Sequence, residues 1–125
     1  MLRISFHILN IILIIFYLYP GSILGCVFYN DCNIQLNLTP DFLISSNHFY
    51  AFLLLGLSAL IAFSKELKKI IIYIIFISIF LECTHLFIPN RAFEIPDLFG
   101  NIIGILLSLI IFKAFNIWRK KNGYV

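Results

Sequence analysis

Charge is what this sequence has least of. Asp, Glu, Lys and Arg make up 12% of its 125 residues, while 62% are hydrophobic. A soluble domain runs closer to about a quarter charged and about half apolar. So few polar side chains could not cover that much apolar surface, so lipid is the solvent that the composition calls for. Cysteine is also scarce: Cys26, Cys32 and Cys83 are too few for a disulfide framework and lack zinc-site spacing. Cys26 and Cys32 share one loop and could pair in an oxidising compartment, whereas Cys83 lies inside an apolar run and carries no evident chemistry. The net charge is only +3, and the basic residues stand at the ends of apolar runs, so nucleic acid is not an expected partner. Repeats, low-complexity tails and a soluble domain are absent, which leaves a single domain over residues 1–125.

What is present is four apolar stretches, at about residues 4–19, 48–64, 70–88 and 98–118. They are stopped by Pro20-Gly21, by Ser64-Lys65-Glu66, by Pro89 and by Arg119-Lys120-Lys121. A helix rises about 1.5 Å per residue, so roughly 20 residues cross a hydrocarbon core. The last two stretches meet that length directly; the first two need their flanks or a thinned bilayer. The predicted fold is therefore an all-α membrane protein, a four-transmembrane-helix bundle. Arg3, Lys65, Lys68, Lys69, Lys113, Arg119, Lys120 and Lys121 all fall on one side of such a bundle, and only Arg91 falls on the other. By the positive-inside rule both termini are cytoplasmic, N-in and C-in, with residues 20–47 as an outer loop. The expected location is the inner (cytoplasmic) membrane. Ile23-Leu24-Gly25-Cys26 also resembles a lipoprotein cleavage site, but Asn10 and the length of the first run favour its retention as a helix.

Ionisable groups inside membrane helices default to a functional reading. Glu82 lies six residues before Ile88, about 9 Å from the predicted outer end of its helix. Ser78, Glu82 and His85 are spaced four and three apart and share a face, as do Asp97, Asn101, Gly104 and Ser108 on the next helix. The loop between these helices is short, so the two polar stripes should face each other across antiparallel neighbours. Gly104 would permit their close approach. Arg91 should bridge to at least one carboxylate, Asp97 could cap the last helix after Pro96, and His48 should lie at the rim. Structural cross-linking of the bundle is the plainer alternative to a site. Glu82 and His85 also have the spacing of a helical metal pair, with His48 and Asp97 as further ligands. A hydrogen-bonded histidine is the commoner outcome, so no metal and no cofactor is expected.

From Glu82 to Gly104 the chain resembles the VanZ-like family. That family's pattern is Glu-x-x-Gln, then Pro-x-Arg, then Asp-x-x-x-Asn-x-x-Gly. Here it reads Glu82-Cys83-Thr84-His85, Pro89-Asn90-Arg91 and Asp97 through Asn101 to Gly104. His85 stands in place of Gln. His48-Phe49 is similar to the family's His-Phe element, with Ile44 and Ser45 where Asp-Lys usually precedes it. The resemblance implies a bacterial cell-envelope membrane protein; the family's named member is associated with resistance to the lipidated glycopeptide teicoplanin.

These readings lead to one expectation and two alternatives. The first is recognition of a lipid-linked or lipidated envelope molecule, such as a lipid-linked glycan or lipidated glycopeptide, through His48, Arg91, Asp97 and Asn101. The second is an intramembrane enzyme acting on such a molecule, with Glu82 as acid or base and His85 assisting. The third is a small packing subunit of a larger membrane complex. Membrane lipid is an expected partner under all three.

Overall fold

The four apolar runs do form helices, and a fifth, short helix occupies the loop after the first. The computed structural model describes residues 1–41 and 43–123. Its elements are α1 (Leu2–Leu18), α2 (Ile23–Tyr29), α3 (Ser46–Ala62), α4 (Leu67–Thr84) and α5 (Ile95–Lys121), with no strand among the described residues. Pro20 cannot continue α1, and Gly21 takes φ +122°, a conformation that L side chains rarely adopt. The chain therefore turns by 82° into α2. Ser22 caps α2 by accepting a hydrogen bond from the Gly25 amide at 3.0 Å. A disulfide joins Cys26 to Cys32 and closes the segment after α2 on itself. Further on, the Asp41 side chain accepts from the Ser46 amide at 2.7 Å and so caps α3 from a distance.

Every boundary shifts by a few residues from the sequence expectation, and two of the shifts bear on the site. The third apolar run leaves the α-helix at Thr84, not Ile88, and tightens into i to i+3 turns, with Leu86 bonded to Cys83 and Phe87 to Thr84. Pro89 disfavours helical backbone just before it, which explains the early exit. The last helix starts at Ile95, with Pro96 in its first turn and Glu94 at the N-cap. Asp97 is thus a first-turn residue rather than the cap.

Taken singly, only α5 among the described residues is both long and apolar enough to cross a membrane; α1 and α2 reach that length together but are sharply bent. The packing shows a second signature. Ile72, Phe76, Ile110 and Ile117 are each at least 60% exposed. The interior, by contrast, holds Asn10, Ser78, Glu82, His85, Asn101 and Ser108. Apolar groups outside and polar groups inside is the distribution that water would oppose.

Helix α3 is central and touches α1, α4 and α5; α5 runs chiefly along α3. Small residues make that approach possible. A Cβ on Gly104 would strike the Phe49 carbonyl oxygen and lie 2.9 Å from the Leu53 amide; one on Gly100 would lie 2.7 Å from the Ser45 carbonyl. Gly56 on α3 meets the Ser108 side chain in the same way. Gly104 therefore packs against α3, not against α4 as the short connecting loop suggested. At one end of the bundle Arg3 pairs with Glu66 at 3.1 Å, tying the start of α1 to the α3–α4 turn. Phe6, Leu13, Phe52, Leu55, Leu60 and Ile74 fill the middle. The polar residues gather at the opposite end.

Candidate functional site

Alternating helix directions bring the end of α1, the start of α3, the end of α4 and the start of α5 to the same place. Each supplies a polar side chain there: Tyr17, His48, Glu82 with the adjoining His85, and Asp97 with Asn101. His48 is the hub and only 6% exposed, so it is not at the rim. Its Nε2 lies 3.2 Å from Asp97 Oδ2 and its Nδ1 lies 3.6 Å from Glu82 Oε2. The Tyr17 hydroxyl stands 2.8 Å from the same Nδ1 and donates to Asn101 Oδ1 at 2.7 Å.

Hydrogen-bond bookkeeping gives a consistent set of roles. With the one Tyr17 hydrogen on Asn101, the matching tautomer carries a hydrogen on His48 Nδ1 that is donated to the Tyr17 oxygen. In a neutral imidazole the other nitrogen, Nε2, is then a lone pair, and it faces a carboxylate oxygen. The same count applies to His85. Its Nε2 lies 3.3 Å from the Tyr17 backbone carbonyl, which can only accept. Its Nδ1 faces Glu82 Oε1 at 3.3 Å. Glu82 Oε1 also accepts from the Glu94 amide at 3.3 Å. Glu82 is fully buried, and among the described residues neither its Oε2 nor Asn101 Nδ2 has a hydrogen-bond partner.

Arg91 takes a different place from the expected one. Its guanidinium donates to the Phe16, Tyr19 and Gly21 carbonyls at 3.3, 3.4 and 2.6 Å, and it bridges no carboxylate among the described residues. The last carbonyls of α1 lack intrahelical donors and form the negative end of its dipole, so a cation satisfies both needs there. Among the described residues Glu82 and Asp97 thus have only histidines as ion-pair partners.

Beside the cluster lies a cleft of about 320 Å3, walled by Phe16, Leu24, Leu36, Tyr50 and Leu54 and edged by His48, His85 and Arg91. Glu82, Asp97 and Asn101 lie behind these residues and do not line it. His48, Glu82 and Asp97 also each place one ligand atom within 4.8 Å of the others, a spacing that could hold a metal ion.

Comparison with known proteins places the chain in a family. The model described as VanZ/LLP1 matches residues 4–117. The chain belongs to the VanZ/LLP1 family. No curated protein and no solved structure matches it. Family membership together with α5 points to a membrane protein.

Of the site residues expected in this VanZ/LLP1 chain, His48, Glu82, His85, Asp97 and Asn101 do converge. Arg91 is adjacent but serves the end of α1, and Gly104 serves the α3–α5 contact. Ser78 and Ser108 lie on the expected faces and are buried, yet each bonds only a carbonyl of its own helix, Ile75 and Ile105. Tyr17 is the site residue that the sequence reading missed. It is surrounded by Phe16, Leu18 and Tyr19, so nothing local marks it. The available signal was general: a buried tyrosine hydroxyl needs a partner, and His48 and Asn101 both needed one.

Proposed function

We propose that this VanZ/LLP1 protein is a four-span protein of the bacterial cytoplasmic membrane, N-in and C-in, that holds a lipid-linked or lipidated envelope molecule. The observation that carries this reading is the cleft, an apolar trough with a few polar groups converging at one edge, the usual form of a small-molecule site. An acyl or prenyl portion would lie on Phe16, Leu36 and Leu54. A head group would meet His48, His85 and the Nη1 of Arg91, which makes no hydrogen bond among the described residues. Arginine suits phosphate and carboxylate groups. A lipid-linked glycan and a lipidated glycopeptide both fit this description, and the latter would give an antibiotic-resistance role.

The membrane placement has its own support. Lys65, Lys68, Lys69, Arg119, Lys120 and Lys121 lie at the end of the bundle away from the cleft, which puts the cleft outside. A disulfide at that end accords with an oxidising compartment. Helices α1, α3 and α4 have 17, 17 and 18 residues. They span about 25–27 Å, a small mismatch that flanking residues or local thinning accommodates. In a Cys83→Ser background with the disulfide intact, Asn90→Cys should react with an impermeant thiol reagent from outside and Asn122→Cys should not.

Function is tested with the chain in lipid nanodiscs. Dodecyl phosphate should bind saturably and more tightly than dodecanol, and Ala51→Trp, which fills the cleft, should weaken it at least about tenfold, or about 1.4 kcal/mol. Equal, non-saturating partition of both probes would refute the reading. One observation favours an enzyme: Glu82 Oε1 lies 3.3 Å from Nδ1 of His85, which lines the cleft. Product formed from a lipid-linked glycan precursor, and lost in Glu82→Gln, would establish that alternative.

A further inference from the structure

Glu82 is fully buried and Asp97 half-buried in one cluster, and the described residues set no Lys or Arg against either carboxylate. Glu82 and Asp97 are paired only with imidazoles, and Arg91 is turned away toward carbonyls. Unpaired buried anions are strongly disfavoured, so two protons or one divalent ion must compensate. His48 shows where the compensating charge would sit. With its Nδ1 hydrogen on the Tyr17 hydroxyl, its Nε2 lone pair lies 3.2 Å from Asp97 Oδ2, and a proton or a metal ion between them satisfies both atoms. A metal-bound histidine normally donates its other N–H to an oxygen that fixes its tautomer, and Tyr17 stands where that partner belongs.

We propose that His48 Nε2, Asp97 and Glu82 bind one divalent transition-metal ion of the zinc type. The second observation is the orphaned pair: Glu82 Oε2, fully buried and unpartnered, is a free ligand atom, and Asn101 Nδ2 is a free donor beside the cluster. Ligands about 2.0–2.2 Å from zinc in a tetrahedron stand about 3.3 Å apart, and the His48–Asp97 separation is 3.2 Å. One ligand atom from each of the three residues lies within 4.8 Å of the other two, so modest side-chain rotation closes the set. Three protein ligands leave a fourth position for water or a substrate oxygen, and Asn101 Nδ2 is the donor available to such an oxygen. Imidazole with carboxylates, without thiolate, suits zinc over magnesium or copper(I). His85 is not among the three residues whose ligand atoms converge, so Glu82–His85 is not the ligand pair. The inference does not rest on the lipid reading, since either probe can bind without the other.

The test uses the full chain in nanodiscs, stripped with a chelator and titrated with zinc against a fluorescent indicator. One zinc per chain is expected. Glu82→Gln and Asp97→Asn should each weaken it more than about 100-fold, because losing a supporting partner alone costs about 10–100-fold. Tyr17→Phe should fall within that smaller range. Cobalt(II) added to the unsubstituted chain should give visible d–d bands without a thiolate charge-transfer band, a readout that needs no variant. Zinc uptake equal in the unsubstituted chain and Asp97→Asn, or no cobalt spectrum, would overturn the proposal.

Discussion

Gly104→Ala is the sharpest test of how the bundle positions its polar end. A methyl group at this position would strike the Phe49 carbonyl oxygen, 2.9 Å from the Leu53 nitrogen and 3.3 Å from the Phe52 carbonyl carbon. All three are backbone atoms of α3 and cannot rotate away. Restoring ordinary contact would part α3 and α5 by on the order of 1 Å, and overpacking of this kind costs about 1–3 kcal/mol. Alanine regains about 1 kcal/mol of helix propensity. The same displacement stretches the 3.2 Å contact between His48 on α3 and Asp97 on α5 beyond hydrogen-bond range, which costs roughly 1 kcal/mol more. The net expectation is a destabilisation of about 2 kcal/mol, read as a lower unfolding midpoint in mixed micelles titrated with SDS. Leu106→Ala, on an exposed face of α5, is the control. A Gly104→Ala protein within about 0.5 kcal/mol of the unsubstituted chain would refute the claim that glycine sets the α3–α5 distance.

Three further outcomes follow from the same contacts. Tyr17→Phe removes the hydroxyl shared by His48 and Asn101 and leaves two buried polar atoms unpartnered; the unfolding free energy should fall by about 1–3 kcal/mol, and an unchanged value would mean that water replaces the hydroxyl. Arg91→Ala uncaps three carbonyls at the end of α1; hydrogen exchange of the Phe16–Gly21 segment should rise, with Arg91→Lys restoring protection only in part because an ammonium lacks the guanidinium fork. Mass spectrometry of the purified protein should recover peptides next to Met1 and a Cys26–Cys32 crosslink, whereas a lipid-modified Cys26 would refute retention of the first helix.

The helices were legible because lipid-type apolar runs are long and are interrupted by unmistakable residues. Pro20, Pro89 and Ser64-Lys65-Glu66 each follow a real helix end. The spacing of Asp97, Asn101, Gly104 and Ser108 assigned the buried face of α5 correctly, since helical periodicity is a local property. Which helix that face meets is not local. The short loop after α4 suggested α4, but glycine at positions 100 and 104, with Gly56 opposite Ser108, admits α3 more closely. Arg91 was misassigned for a related reason: opposite charges nearby in sequence suggested an ion pair, while the competing acceptors, the Phe16, Tyr19 and Gly21 carbonyls, are about 70 residues away along the chain. The α2 helix was missed because seven residues of mixed character carry no periodic signal.

The polar cluster takes one or two side chains from each of α1, α3, α4 and α5, and this bears on how the bundle comes together. In a bilayer, apolar helix faces gain little by leaving lipid for one another, so the runs of Ile, Leu and Phe give little preference among docking orders. Glu82, His48 and Asp97 do give one. On the four-span reading proposed above, each helix that inserts alone carries a group that hydrocarbon cannot satisfy, and only the complete set closes the network. The residues that define the site therefore also act as the registration marks of assembly, fixing which helices meet, at which end and in what rotation about their axes.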